Sequence, residues 1–280
     1  LKGIEIDFPP PFTKKEDDLT TLSITKNSID ADEELIKIQI GVYATANLKR
    51  QKNSEGRMKI SSGLISINSK QDKMPEEGIL LSADLSKVSL EAIDLLFTDL
   101  NTEPFITDAD INIKELDVYG YLIEDSNIKY RPVEKNTSIQ ILSKDVSGNI
   151  LWDKKENLLK AGFEKLHLRK NNTLIESENK FIFSRPPKIN IKVKSLILNE
   201  DNYGDLSLTA FKENKLWNIE SFKISNPEHI ISGSGLWDDE GLNPNTSINF
   251  SWNLNNIQKT FEQLSYPELI KDGKASVIGM

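Results

Sequence analysis

The sequence predicts a mainly β fold: an elongated array of repeated antiparallel strand blocks with two short helices. Three observations predict it. Apolar residues alternate with polar ones at period two, turn signals recur too closely for strand-helix-strand crossovers, and a stretch of sequence recurs in the second half.

The alternation is clearest from Ile36. Ile36, Ile38, Ile40, Val42, Ala44, Ala46 and Leu48 share one parity, while Lys37, Gln39, Tyr43, Thr45 and Asn47 take the other. A pleated strand sends successive side chains to opposite faces, so this stretch has one greasy face and one wet face. The pattern returns at Ile4, Ile6 and Phe8, at Ile79, Leu81, Ala83 and Leu85, and at Ile111 and Ile113 with Leu116 and Val118. It returns again at Ile189, Ile191 and Val193, at Leu206, Leu208 and Ala210, and at Ile248, Phe250 and Trp252. Between the runs lie Pro9-Pro10-Pro11, Asn53-Ser54-Glu55-Gly56, Glu200-Asp201-Asn202, Asn226-Pro227 and Asn243-Pro244-Asn245, spaced for antiparallel hairpins. A parallel α/β enzyme fold is disfavoured.

Two stretches switch to helical spacing. After Ser86 and Ser89, the residues Leu90, Ile93, Leu95 and Leu96 read as a short amphipathic helix with Ser89 as its N-cap, ending before Asn101. After Asn255, the residues Ile257, Phe261 and Leu264 repeat the spacing, and Ser265-Tyr266-Pro267 opens a second short turn that Gly273 closes. Both follow strand blocks and read as caps or corners on a sheet.

The repeat joins Ser147-Gly148-Asn149-Ile150-Leu151-Trp152-Asp153 to Ser232-Gly233-Ser234-Gly235-Leu236-Trp237-Asp238, an offset of 85 residues (147 to 232). Upstream, Ile111-Asn112-Ile113-Lys114 matches Ile189-Asn190-Ile191-Lys192 at an offset of 78 (111 to 189). Repeated sheet blocks with no closing signal favour an elongated array over a compact globule. The expected division is a first block over 1–103, ending in the first helix, then two repeated blocks over about 104–180 and 181–280, continuous with it.

Composition removes several chemistries. With 35 basic against 43 acidic residues the formal charge is −8, without the basic excess that phosphate-backbone binding requires, so no nucleic-acid partner is expected. Cysteine is absent and only His167 and His229 are present, which leaves no thiolate nucleophile, disulfide or cysteine zinc site. No cofactor, metal site or catalytic residue is expected. The acidic groups Glu16-Asp17-Asp18, Asp30-Ala31-Asp32-Glu33-Glu34, Asp108-Ala109-Asp110 and Asp238-Asp239-Glu240 lack calcium-loop spacing and read as solvated turn residues. The Ser232-Gly233-Ser234-Gly235 stretch leads into a strand, with no following lysine or helix start, and reads as a bend or bulge. Trp152 and Trp237 hold equivalent repeat positions, which reads as a shared packing role. His167, between Leu166 and Leu168, reads as facing outward.

No run of eighteen apolar residues occurs, so no membrane-crossing helix is expected within the stretch itself. The strand-like start at Leu1 and the apolar run that opens before Met280 read as an excerpt from a longer protein, whose anchors lie outside. What remains is the apolar face, which must be hidden against another sheet, helices or something that is not protein. The residues leave open a two-sheet sandwich and a curved sheet folded around a ligand.

Further residues carry a resemblance. Leu1-Lys2-Gly3-Ile4-Glu5-Ile6-Asp7-Phe8-Pro9-Pro10-Pro11-Phe12 resembles the strand ending that opens a central block of bacterial YhdP-like proteins, members of the AsmA-like superfamily. Asn202-Tyr203-Gly204-Asp205-Leu206-Ser207-Leu208-Thr209-Ala210 is similar to that family's strand, with Asn202-Tyr203 where a hydrophobic residue commonly precedes the glycine. Trp217-Asn218-Ile219, the Ile231 to Trp237 stretch, and the close from Leu264 through Asp272-Gly273-Lys274-Ala275 continue the likeness in order.

The resemblance implies a curved β-groove in a Gram-negative cell-envelope protein, anchored in the inner membrane through segments outside these residues and extending through the periplasm. It implies bridge-type lipid transport, with phospholipid as the partner and the outer membrane as the destination. An acyl chain leaving a bilayer exposes methylenes at about 0.8 kcal/mol each, on the order of 10 kcal/mol for an unshielded chain, and a continuous greasy face removes most of that cost. The residues expected to line the groove are Ile38, Ile40, Val42, Ile113, Val118, Ile191, Val193, Leu206, Leu208, Ile248 and Phe250. Two other readings remain open. A TamB-like role in outer-membrane protein assembly uses a free sheet edge to accept a client strand. A β-solenoid enzyme acting on glycans requires Asp108, Asp110 and Asp238 to converge in a cleft.

Overall fold

The computed structural model describes residues 15–89, 106–118, 120–133, 136–170, 186–213, 216–238, 245–264, 266 and 272–279. The chain is mainly β. It divides into two compact units, one holding residues 1–132 with 141–143 and the other holding 133–140 with 144–280.

In the first unit the strands are β1 (Leu22–Ser28), β2 (Glu33–Ile40), β3 (Ala44–Lys52), β4 (Met58–Ile67), β5 (Gly78–Ser89), β6 (Asp108–Val118) and β7 (Tyr121–Val133, all but its last residue), each pairing with the next. The register carries the sequence alternation from strand to strand. Leu22, Ile40, Ala44, Ile67, Ala83, Ile111 and Ile128 are successive ladder partners, as are Ile24, Ile38, Ala46, Ile65, Leu81, Ala109 and Tyr130. Directly paired residues share a sheet face, so these rows form one apolar surface. On the other face the row reads Ser23, Gln39, Thr45, Ser66, Ser82, Asp110 and Lys129.

The second unit holds most of β8 (Asn136–Leu142), then β9 (Val146–Asp153), β10 (Leu158–Lys170), β11 (Lys188–Leu198), β12 (Asp201–Glu213), β13 (Leu216–Ser225), β14 (His229–Asp238), β15 (Thr246–Leu254) and β16 (Ala275–Gly279). From β9 onward each strand again pairs with its successor.

Hairpins follow from turn chemistry. Gly41 at φ +55° turns β2 into β3, Asn53 accepts the backbone N–H groups of Glu55 and Arg57 before β4, and Asn199 at φ +55° turns β11 into β12. The antiparallel expectation needs correction at three places: β4 with β5, β5 with β6 and β10 with β11 are parallel. A parallel neighbour requires the chain to travel back along the strand, and the residues between these pairs are more than a hairpin uses. The connection from β4 to β5 runs over the polar face, where Ser66 Oγ donates to the Gln71 carbonyl at 3.1 Å and Ser69 Oγ meets Ser82 Oγ at 2.8 Å. Leu64, of polar-face parity, is buried there.

Among the described residues there is one helix, α1 (Ile257–Gln263), at the second of the two expected positions. The first expected helix lies outside the described residues; β5 runs through Ser86 to Ser89. Asn256 caps α1, its side-chain oxygen accepting from Lys259 N, and Ile257 and Thr260 face inward. Gln263 Nε2 donates to the Asn202 carbonyl at 2.7 Å, tying the helix to the start of β12. Replacing Asn256 with alanine leaves a helix N–H without its acceptor, and is expected to lower the unfolding free energy by about 1 kcal/mol in urea titration.

Candidate functional site: an apolar sheet face

Three apolar rows cross the second unit. Phe163, Val193, Leu206, Ile224, Ile231, Trp252 and Val277 are successive ladder partners. Beside them run Ile150, Ala161, Ile191, Leu208, Phe222, Gly233, Phe250 and Gly279, then Trp152, Leu159, Ile189, Ala210, Ile219, Gly235 and Ile248. The intervening row on the other face is Asn149, Gly162, Lys192, Ser207, Lys223, Ser232 and Ser251. One side of this sheet is therefore hydrocarbon, and the other is mostly amide, hydroxyl and ammonium, with Leu151, Leu236 and Ile278 exposed among them.

A sandwich interior would bury the large side chains of its inner face almost completely. Here Leu206, Leu208, Phe222, Ile231, Ile248, Phe250 and Trp252 are all only partly buried, as are Ile38, Ile40, Ile65 and Leu81 in the first unit, where Ile24 is 65% exposed. The sandwich alternative requires a covering layer that these exposures do not show.

The structure brings Ile191, Val193, Leu206, Leu208, Ile248 and Phe250 onto one face: Ile191 pairs with Leu208, Val193 with Leu206, and Ile248 and Phe250 occupy adjacent rows. Ile38 and Ile40 sit on the apolar face of the first unit. Three expected positions need correction. Val42 is not on a strand: it lies in the β2–β3 turn, 101% exposed, because Gly41 ends the alternation that the sequence carries through it. Ile113 and Val193, at 2% and 3% exposure, support the face from within and offer little surface.

Val118 has the opposite parity to Ile113, yet Ile113 and Leu116 are both buried with Lys114 and Glu115 exposed between them. Opposite Lys114, Asp125 has φ +49°, and the alternation slips by one residue there. The same slip occurs in β11, where a bulge separates buried Val193 from buried Leu196. These slips equate β6 with β11 at an offset of 80 (113 to 193), two more than the sequence match.

Bulges are also why sequence parity missed part of the face. Ile219 and Phe222 are three apart, an odd spacing, but the register shift between them returns both to the apolar rows. Phe163, Phe222, Ile224 and Ile231 belong to the face and were not among the expected residues; Trp252, which alternates with Phe250, joins them. The available signal was apolar residues at mixed spacings of two and three.

The repeat glycines have a packing role. A Cβ on Gly233 would stand 2.8 Å from Phe222 Cε1, and one on Gly279 would stand 2.6 Å from Phe250 Cζ; Gly148 stands in the same relation to Phe163. The rings lie along the sheet over bare backbone, which keeps the face low. Trp152 and Trp237 do not share one row: Trp152 pairs with Leu159, while Trp237 pairs with Trp217 one row further out.

At one end of the rows α1 is tied to the turn before β14, Thr260 Oγ1 meeting the Glu228 carbonyl and Lys259 Nζ donating to Glu228 Oε1; Leu254 and His229 are buried, with His229 edge-on to Trp252 at 6.1 Å. Burial holds the imidazole of His229 below its ordinary value, partly offset by Glu228, and its Nδ1 has no hydrogen-bond partner. His167, expected to face outward, is held by partners. Its Nδ1 lies 3.2 Å from Asp145 Oδ1, its Nε2 contacts the Asn199 carbonyl, and Arg169 pairs with the other Asp145 oxygen.

The acids also depart from plain turn residues. Asp108 accepts from Arg131 at 2.8 Å, Asp110 from Asn127 at 2.7 Å, and Glu34 is buried between Lys26 and Arg50, each at 2.6 Å. Asp110 lines a polar recess of about 410 Å³ with Ser82, Asp84, Asn112 and Asn127, on the face opposite the apolar rows. Among the described residues, no group of three or more histidine, aspartate or glutamate side chains is placed to hold a metal ion. No helix among them is long and apolar enough to cross a membrane.

Gly233→Ala would set a Cβ against the Asn249 backbone carbonyl as well as the Phe222 ring, and is expected to displace both and cost about 1–3 kcal/mol in chemical denaturation. Gly162→Ala, where an added Cβ meets nothing within 4 Å, is expected to be neutral or slightly stabilising. Because the His229 imidazole is held neutral, the unfolded chain takes up its proton first on acidification. The stability of the native protein should be intact above about pH 6.5 and decline below it, and His229→Gln should flatten that part of the pH profile in denaturation midpoints.

Neither the curated proteins nor the solved structures include a significant match to this chain. A family profile, described as YhdP protein, matches residues 1–279, and the chain belongs to the YhdP family.

Proposed function

We propose that the apolar faces shield the acyl chains of phospholipids in transit between the inner and outer membranes, as part of a longer cell-envelope protein. Membership of the YhdP family, a lipid-transport family and not an enzymatic one, supports the general reading. The observation that carries the specific one is the half-exposed state of Leu206, Leu208, Phe222 and Phe250 on one common face, which the bulges keep in phase from strand to strand.

Large aliphatic and aromatic side chains left in contact with water cost free energy that a second hydrocarbon surface recovers, at roughly 25 cal/mol per Å² on each side. An acyl chain laid over three adjacent rows meets side chains of matching polarity and no buried charge. The headgroup stays at a rim, in water, so no deep polar site has to desolvate it. Uniform lining also suits movement, because an isolated deep well would hold its cargo. The low floor formed where Phe222 and Phe250 lie over glycine fits that requirement.

The TamB-like reading, in which a client strand joins a sheet edge, has one feature in its favour. β1 is exposed along its whole length, and Leu22 and Ile24 on it are 42% and 65% exposed.

A photocrosslinker at Leu208, Phe250 or Ile40 of the full-length protein in cells is expected to capture phospholipid. At Gln39 or Ser207, on the polar faces, capture should fall to background. Labelling confined to the polar positions, or capture of nascent protein in place of lipid, would overturn the proposal. Leu208→Asp is expected to reduce lipid capture at Phe250 severalfold, because a carboxylate on the face costs a passing tail several kcal/mol.

A further inference from the structure

The apolar rows of the first unit end, at the start of β4, in a charged lip. Lys26 is paired with Ile36, and Ser28, Glu34 and Arg50 follow in register on the same face as Ile24, Ile38 and Ala46. Glu34 has a side chain only 8% exposed, and its two oxygens are divided: Oε1 takes Arg50 Nη1 and Oε2 takes Lys26 Nζ, both at 2.6 Å. Arg50 is braced further by Nη2 donating to the Met58 carbonyl at 3.3 Å. Two cations share one saturated carboxylate, so the cluster keeps one net positive charge. Lys26, with a 60% exposed side chain, presents it to solvent.

Lys26 lies two residues beyond Ile24 on the same strand face, a separation of about 7 Å. A charge so placed is of no use to a hydrocarbon tail. It is within the reach of a glycerol unit from tails lying on the rows of Ile24 and Leu22. Glu34 fixes both cations in position before any ligand arrives, and charge-assisted hydrogen bonds to an oxyanion are the stronger kind. We propose that Lys26, held with Arg50 by Glu34, is a headgroup rest that takes the phosphate of a phospholipid whose tails lie on the adjacent rows. This rests on the lipid-shielding function proposed above and adds to it a residue that distinguishes phosphate-bearing lipids from neutral ones.

The test uses the purified full-length protein with a photocrosslinker at Ile38. It is mixed with phosphatidylglycerol vesicles containing a minor share of dioleoylglycerol, a two-tailed lipid with no phosphate. Adducts of each lipid are counted by mass spectrometry and normalised to vesicle composition. Native protein is expected to favour the phospholipid by about tenfold, the range of one charge-assisted contact. Lys26→Gln should reduce that preference to about threefold or less, Lys26→Glu should abolish it, and Lys26→Arg should preserve it. Lys26→Arg and Lys26→Gln each keep a donor for Glu34 Oε2, so their thermal melts should stay close to that of the native protein, whereas Lys26→Glu sets a second carboxylate beside buried Glu34 and should melt lower; Arg50→Lys, which keeps the charge but loses the brace, should weaken the preference as well. Capture of both lipids in proportion to their abundance by native protein would overturn the headgroup rest while leaving the shielding function standing. An unchanged ratio in Lys26→Glu would do the same. Capture of neither lipid at Ile38 would overturn both.

Discussion

The face identity of every side chain in this protein depends on ladder register. In a β-sheet a one-residue slip exchanges the two faces of a strand, so an apolar surface that continues over many strands requires every pairing to be in phase. The bulges between Lys49 and Arg50, Phe163 and Lys165, Val193 and Leu196, and Ile219 and Phe222 serve that constraint. Each absorbs a residue where the sequence spacing is odd and returns the next apolar side chain to the common face. Strand twist alone would not do this; an inserted residue with its own unpaired backbone is needed.

Packing on the apolar face follows from how few layers there are. With partial exposure along the rows, lateral contact between neighbouring strands supplies much of what a second layer supplies elsewhere. Phe222 beside Gly233 and Phe250 beside Gly279 show the device: an aromatic ring reaches sideways across bare backbone and covers the ladder from water. Leu48 approaches the Gly63 position in the same way in the first unit. The short helix α1 is tied to the turn before β14 through Glu228, and its buried Thr260 hydroxyl is satisfied by the Asn256 carbonyl at 2.8 Å.

Much of this was legible in the sequence because alternation and face are the same quantity. Ile36, Ile38 and Ile40, then Ile189, Ile191 and Val193, then Leu206 and Leu208, lie on strands and share faces as their spacing states. The helix after Asn256 was readable from the spacing of Ile257, Phe261 and Leu264, while its Asn256 cap emerges only in the structure. Positions that failed did so where backbone geometry breaks the period: Val42 beyond a left-handed Gly41, Phe222 beyond a bulge, Leu116 beyond the slip opposite Asp125. The three parallel pairings were not legible, because pairing direction is decided by where a connection returns and not by the residues within a strand. Nor was the burial of Glu34, since in sequence it stands in an acidic run like any solvated turn, and its two cations come from neighbouring strands.

The connection from β4 to β5 crosses the polar side of its sheet, held there by Ser66, Ser69 and Ser82. A segment so routed can lengthen, shorten or acquire an added module over evolutionary time without narrowing the hydrocarbon side. Inserted reporters or affinity handles have a natural home at the same place, between Lys70 and Glu77, where the residues are mostly exposed and the working surface is on the reverse of the sheet.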